Sequence, residues 1–107
     1  MPKLPDARNC TVQDRKITHY LLIHRPLDEK SGFFMAFGFT MQNWQVLAAA
    51  LRQHGMQYDF VSMRPTPNGT NYELRCNLQT PDGRNPCIRT AWEVIGNAPP
   101  NFITAYP

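Results

Sequence analysis

Glu73, Arg75, Arg89 and Glu93 alternate with apolar residues along two segments, and Phe102, Thr104 and Tyr106 alternate along a third. If Tyr72, Leu74, Trp92 and Val94 form the core side of a sheet, the four charged residues share the side left uncovered. The set Phe102, Thr104 and Tyr106 is expected to face that open side too. Arg forks onto phosphate oxygens and nucleobases stack on Tyr or Phe, so this company of residues suits a phosphodiester with its base. RNA cleavage without a metal asks for three things: a base to take the 2′-hydroxyl proton, a cation to stabilise the phosphorane-like transition state, and an acid for the leaving oxygen. All three residue types are present. In this arrangement Arg89 and Lys30 would hold and neutralise the scissile phosphate. Tyr72, Thr104 or Tyr106 would position the RNA with help from Arg75 and Phe102, and Glu73 or a histidine would carry protons.

The same residues have plainer readings. Opposite charges on neighbouring strands commonly form cross-strand pairs on a solvated face, which would account for Glu73, Arg75 and Glu93. Lys30 falls near a helix start, where the dipole disfavours a cation; that hints at function, against simple exposure. His19 or His24 could act as a general acid, although a helix-surface or half-buried histidine is the plainer account. His19, His24 and His54 lack H-E-x-x-H, H-x-E or C-x-x-C companions, so no metal centre is expected. The chain has no Ser-His-Asp order, P-loop or GxGxxG, and no cofactor is expected. Trp44 and Trp92 read as core residues, and Cys76 as a small buried hydrophobe on the apolar side of its strand.

The elements that must position these groups are legible from pattern. Asn71 to Gln79 alternates with period two, Pro81-Asp82-Gly83 supplies a turn, and Ile88 to Val94 alternates again. Gly96 to Pro100 breaks that segment, and Asn101 to Tyr106 forms a short last strand. A first strand runs over 58–63, joined through Pro65-Thr66-Pro67-Asn68-Gly69, since Asn-Gly favours such a bend. Upstream, residues 1–10 read as an extended lead-in because of Pro2 and Pro5. Thr11 is expected to cap a short helix carrying Ile17, Tyr20, Leu21 and His24. Asp28 begins a second helical segment that Gly38 ends, and Thr40 caps a third with Met41, Trp44, Leu47, Ala48 and Leu51 on one face and Gly55 as the stop. The expected fold is α+β: helices over 11–55 packed on one face of a four-stranded antiparallel meander over 57–107.

A chain of 107 residues, 42% hydrophobic and 18% charged, suits one folded domain with a single two-layer core. The net charge of +3 tilts mildly towards a polyanionic partner. Cys10, Cys76 and Cys87 are odd in number and suggest reduced thiols. With no apolar leader and no membrane-length apolar run, a cytoplasmic protein without membrane contact is expected.

Several spaced motifs, taken together, are specific. They are Lys16-Ile17-x-x-Tyr20-Leu21-Leu22, Lys30 with Phe33-Phe34, Phe37-Gly38-Phe39, Trp44-x-x-Leu47, Gly69-x-x-Tyr72, Pro81-Asp82-Gly83-Arg84, Arg89-Thr90-x-Trp92 and Thr104-Ala105-Tyr106-Pro107. From about Leu4 to Pro107 the chain resembles an uncharacterised bacterial family catalogued as a domain of unknown function. The resemblance implies a toxin-type domain, found alone beside a small partner or at the C-terminus of larger polymorphic-toxin and phage-head-like proteins. Its order of helices then meander is similar to the barnase, EndoU, colicin and RelE group of ribonuclease toxins. The residues it singles out are Lys16, Tyr20, Lys30, Tyr72, Arg89, Thr90, Trp92 and Thr104. Around Lys30 the family shows glycine-lysine-small, where this chain has Glu29-Lys30-Ser31.

The expected function is therefore a small toxin domain acting as a metal-independent endoribonuclease, with RNA as substrate and an acidic antitoxin or immunity protein as partner. The alternative is a non-enzymatic interaction module, antitoxin-like, immunity-like or phage-associated, that binds a protein on the same open face.

Overall fold

The computed structural model describes residues 2–18, 22 and 30–106. Its second half is the expected antiparallel meander: β1 (Phe60–Pro65), β2 (Thr70–Asn77), β3 (Cys87–Val94) and β4 (Asn101–Tyr106), in that spatial order. The β1–β2 turn closes through Thr66 and Gly69, whose backbone groups bond in both directions at 2.7 and 3.3 Å. Between β2 and β3, Gly83 takes φ +80°, a conformation that favours glycine, while Asp82 Oδ1 accepts from the Arg84 amide at 3.0 Å. Arg84 then donates to the Ala36 carbonyl at 2.5 Å and lies 4.3 Å from the Phe37 ring centroid. The Pro-Asp-Gly-Arg run is thus a staple between this loop and the helical layer.

The helices are α1 (Asp14–Lys16), α2 (Lys30–Ala36) and α3 (Trp44–Gln57), after a 3-10 turn at Ala7–Asn9. Residues 1–10 are therefore not simply an extended lead-in; Leu4 and Cys10 are buried on either side of that turn. Thr11 does not cap a helix. It bridges to Asn101 instead, because its amide and carbonyl pair with Pro100 and Phe102 beside β4. The expected positions Tyr20, Leu21, His24 and Asp28 lie outside the described residues. Gly38 ends the α2 region as expected, at φ +103°. Thr40 and Asn43 bond reciprocally, amide to side chain, at 2.8 and 3.2 Å, so α3 starts only after Asn43. Gly55 does not stop α3, which runs on to Gln57. Its missing side chain is needed for packing: a Cβ there would lie 2.5 Å from Trp92 Cζ2.

The core lies between α3 and one face of the sheet. Leu74, Ile88, Trp92, Phe102 and Ala105 from the strands meet Leu47, Ala50 and Leu51 of α3, with Ile17, Phe34 and Phe39 closing the sides. Within it His54 is tied at both ring nitrogens, to the Cys76 carbonyl at 2.8 Å and to Thr90 Oγ1 at 2.9 Å. A carbonyl only accepts, so Nε2 carries the proton, Thr90 donates to Nδ1, and Trp92 Nε1 donates to Thr90 at 2.9 Å. Every member is satisfied, which is how polar groups persist in a core. Among the described residues no helix is long and apolar enough to cross a membrane.

Candidate active site on the open face of the sheet

Alternation on β2 and β3 leaves Glu73, Arg75, Arg89, Ala91 and Glu93 on the face opposite α3, and none of them is buried. In register, Arg75 stands opposite Arg89 and Glu73 opposite Ala91. On the flanking strands Ser62 pairs with Glu73, Tyr106 with Arg89 and Thr104 with Ala91, so a four-strand patch forms. Glu73 is its hub. One carboxylate oxygen accepts from the Tyr106 hydroxyl at 2.9 Å, and the other accepts from Arg75 Nε at 3.2 Å. The Arg89 guanidinium carbon lies 5.7 Å from the Tyr106 ring centroid, a cation–π distance.

Beside this hub lies a depression of about 440 Å³, with Ser62, Arg64, Asn71, Glu73, Ala91 and Tyr106 in its lining. The Asn71 side-chain oxygen is buried there and has no hydrogen-bond partner. The arrangement combines a carboxylate able to take a proton, a phenol able to give one, and two cations facing each other across a ladder. Like charges directly opposite destabilise a sheet, so an anion between the two guanidinium groups would relieve a cost built into the free protein. Among the described residues, no three His, Cys, Asp or Glu side chains gather as they would around a metal ion.

The structure thus brings together Glu73, Arg75, Arg89, Thr104 and Tyr106. Phe102 is not with them. Thr104 pairs with Ala91 and Phe102 with Trp92, so Ile103 is an extra residue in β4, and this bulge turns Phe102 into the core at 0% exposure. Its ring packs edge-on to Trp92 at 5.5 Å, so no base can stack on it. Tyr72 borders the depression but is only 9% exposed, and its ring meets Phe60 edge-on at 4.8 Å on the core side. Lys16 ends α1, which packs beside β4, outside the open-face set. Lys30 opens α2, and its side chain, like His19, His24 and Tyr20, lies outside the described residues.

Thr90 and Trp92 belong to the buried His54 network, so structure accounts for them without function. Burial pushes the His54 imidazole below its usual range, partly opposed by the bond to the Cys76 carbonyl. The sequence reading passed over Ser62, Arg64 and Asn71. Ser62 and Arg64 alternate as strand residues should, and that period was the available signal, masked by a β1 bulge between Phe60 and Ser62.

Comparison with curated proteins finds no match. Among solved structures, the fold is similar to a chain of a contact-dependent growth inhibition toxin–immunity protein complex from Klebsiella pneumoniae 342, with TM-score 0.72 and 16% identity, covering 95% of this chain and 96% of that one. At that identity the likeness is one of fold. Residues 3–107 match the family described as domain of unknown function (DUF6883), and the chain belongs to that family.

Proposed function

We propose that this chain is a small bacterial toxin domain that cleaves RNA without a metal and is restrained by an immunity or antitoxin protein. The observation that carries the reading is the opposed pair Arg75 and Arg89 beside a carboxylate that accepts a hydrogen bond from Tyr106. The scissile phosphate would sit between the guanidinium groups. Glu73 takes the 2′-hydroxyl proton, the 2′-oxygen attacks phosphorus, and the bond to the 5′-oxygen breaks as that oxygen receives the Tyr106 proton. A 2′,3′-cyclic phosphate and a 5′-hydroxyl result. The proton on Glu73 then returns to Tyr106 along their hydrogen bond, which restores the site. Thr104 and the depression beyond Glu73 hold the neighbouring nucleotide.

The similarity in fold to a chain of a toxin–immunity complex supports the toxin part and the protein partner. A face with Arg64, Arg75 and Arg89 against Glu73 and Glu93 favours an acidic partner and a site of action in the cytoplasm, where RNA is met. The same similarity leaves a second reading, an immunity-like module that binds protein on this face, because the solved complex holds both kinds of chain.

The test is cleavage of total bacterial RNA by purified wild-type protein, Arg89→Ala and Glu73→Gln, each with and without EDTA. Cleavage that survives EDTA and fails in both variants supports the ribonuclease. Circular dichroism excludes unfolding as the cause. Folded wild-type protein that cleaves nothing in any lane sinks the enzyme and leaves the binding module.

A further inference from the structure

Cys76 and Cys87 lie at the end of the β2–β3 ladder away from the 66–69 turn. Cys76 pairs with Ile88 and Asn77 with Cys87, so the two cysteines are diagonal neighbours offset by one residue. Strand spacing and rise together put their Cα atoms about 6 Å apart, within the ~4.4–6.8 Å that a disulfide spans. In a regular ladder such a pair would point to opposite faces. Cys76 keeps its partner Ile88 but not the strand's backbone conformation: its φ is +135°, where non-glycine residues are uncommon.

Three contacts describe the result. Leu74 and Leu78 on either side are 0% and 1% exposed, whereas Cys76 is only half buried, so its side chain leaves the core stripe. Its thiol instead donates to Asn77 Oδ1 at 3.3 Å, the side chain paired with Cys87. The Cys76 carbonyl is held by the His54 Nε2 proton, which fixes the turned peptide. Both thiols are free, and Cys87 is exposed. Cys87 sits opposite Asn77, whose Oδ1 takes the Cys76 thiol, and the neighbouring Cys76 thiol is the main influence that raises the Cys87 thiol above its ordinary range.

We propose that Cys76 and Cys87 are a redox-modifiable dithiol that closes to an intramolecular disulfide when the protein meets a hydroperoxide. Cys87, the exposed sulfur, reacts first, through the fraction present as thiolate: it attacks a peroxide oxygen, the O–O bond breaks, Cys87 sulfenic acid forms, and the departing hydroxide takes up the proton that the thiol released, as water. The Cys76 thiolate then attacks the Cys87 sulfur, the S–S bond forms, and hydroxide leaves to take up the Cys76 proton as a second water. Two thiols and one hydrogen peroxide give one disulfide and two waters. The bond fastens β2 to β3 one residue beyond Arg75. Neither the site nor its test depends on RNA cleavage.

The experiment treats reduced protein with hydrogen peroxide, then denatures and alkylates it for intact mass and peptide mapping. A monomer lighter by two hydrogens, with Cys76 joined to Cys87 and Cys10 alkylated, is the expected result. In Cys76→Ser the same treatment leaves Cys87 as sulfenic acid, captured by a cyclic diketone. Failure of Cys10 to react before denaturation reports that the fold is intact. Wild-type protein that resists peroxide, cross-links between chains, or over-oxidises at Cys87 while Cys76 stays alkylatable overturns the proposal.

Discussion

Arg75 and Arg89 stand directly opposite each other on the open face, and each is compensated separately, one by Glu73 and the other by the Tyr106 ring. A pair kept for stability alone would not place two like charges in register. Replacing Arg89 by Gln should therefore leave stability to denaturant unchanged or raise it by up to about 0.5 kcal/mol. The same variant should bind a single-stranded oligoribonucleotide more weakly, with the slope of log affinity on log salt reduced by about one. Lost stability with unaltered binding would mark Arg89 as a structural residue.

Tyr106→Phe deletes the hydroxyl that bonds Glu73 Oε1 and leaves the ring under Arg89. Without its proton donor the leaving oxygen departs unprotonated. The expected loss in kcat is about 10²–10⁴-fold, the usual range for an acid–base group, with KM little changed. Stability should fall by only about 0.5–1.5 kcal/mol, the net value of one hydrogen bond. Single-turnover cleavage and denaturant melts separate the two effects. A rise in KM with kcat intact would make Tyr106 a binding residue only.

Period-two alternation gave β2, β3 and the shared face of Glu73, Arg75 and Arg89, because those strands pair without interruption from Thr70 to Asn77 and Cys87 to Val94, and the Pro, Asp, Asn and Gly residues between the segments gave the turns. The same rule failed at Phe102, since one extra residue in β4 reverses the phase and no local signal marks a bulge between Phe102 and Thr104. It failed at Cys76 for a related reason: the backbone there has φ +135° and its carbonyl accepts from His54 of α3, neither of which alternation can foresee. Gly55 looked like a helix stop because propensity favours that reading, whereas contact with Trp92 across the core requires it inside the helix. The capping residue shifted from Thr40 to Asn43 because the two side chains bond each other's backbone first. Long-range packing overrode local preference in each of these cases except the last.

His54 is buried as the neutral Nε2-H form, with its imidazole held below the usual range by burial. In the unfolded chain it takes up a proton below about 6.5, the ordinary value. Between that value and its lower folded one the unfolded state binds more protons, so stability rises with pH there. The urea midpoint should hold steady above pH 7 and drop as pH falls from 6.5 towards 5. His54→Gln should be less stable at pH 7 and lose that segment of the pH dependence. An unchanged slope between pH 5 and 6.5 in the variant would move the effect to other groups.

Gly55→Ala tests how firmly α3 is seated on the sheet. Helix propensity alone predicts a gain of about 1 kcal/mol for replacing a mid-helix glycine. Packing opposes it, because the new Cβ would fall 2.5 Å from Cζ2 and 2.9 Å from Cε2 of Trp92. That ring cannot step aside easily: it is fully buried, its Nε1 donates to Thr90, and Phe102 packs on it edge-on. Forcing atoms into such a core costs about 1–3 kcal/mol, so the net effect should be destabilising, with α3 lifted from β3 and the His54–Thr90 bond stretched. Denaturant melts monitored by tryptophan fluorescence in a Trp44→Phe background, where Trp92 alone emits, read it directly. Gly55→Ala at or above wild-type stability would show that α3 can slide on the sheet, and that the His54 network does not fix its position.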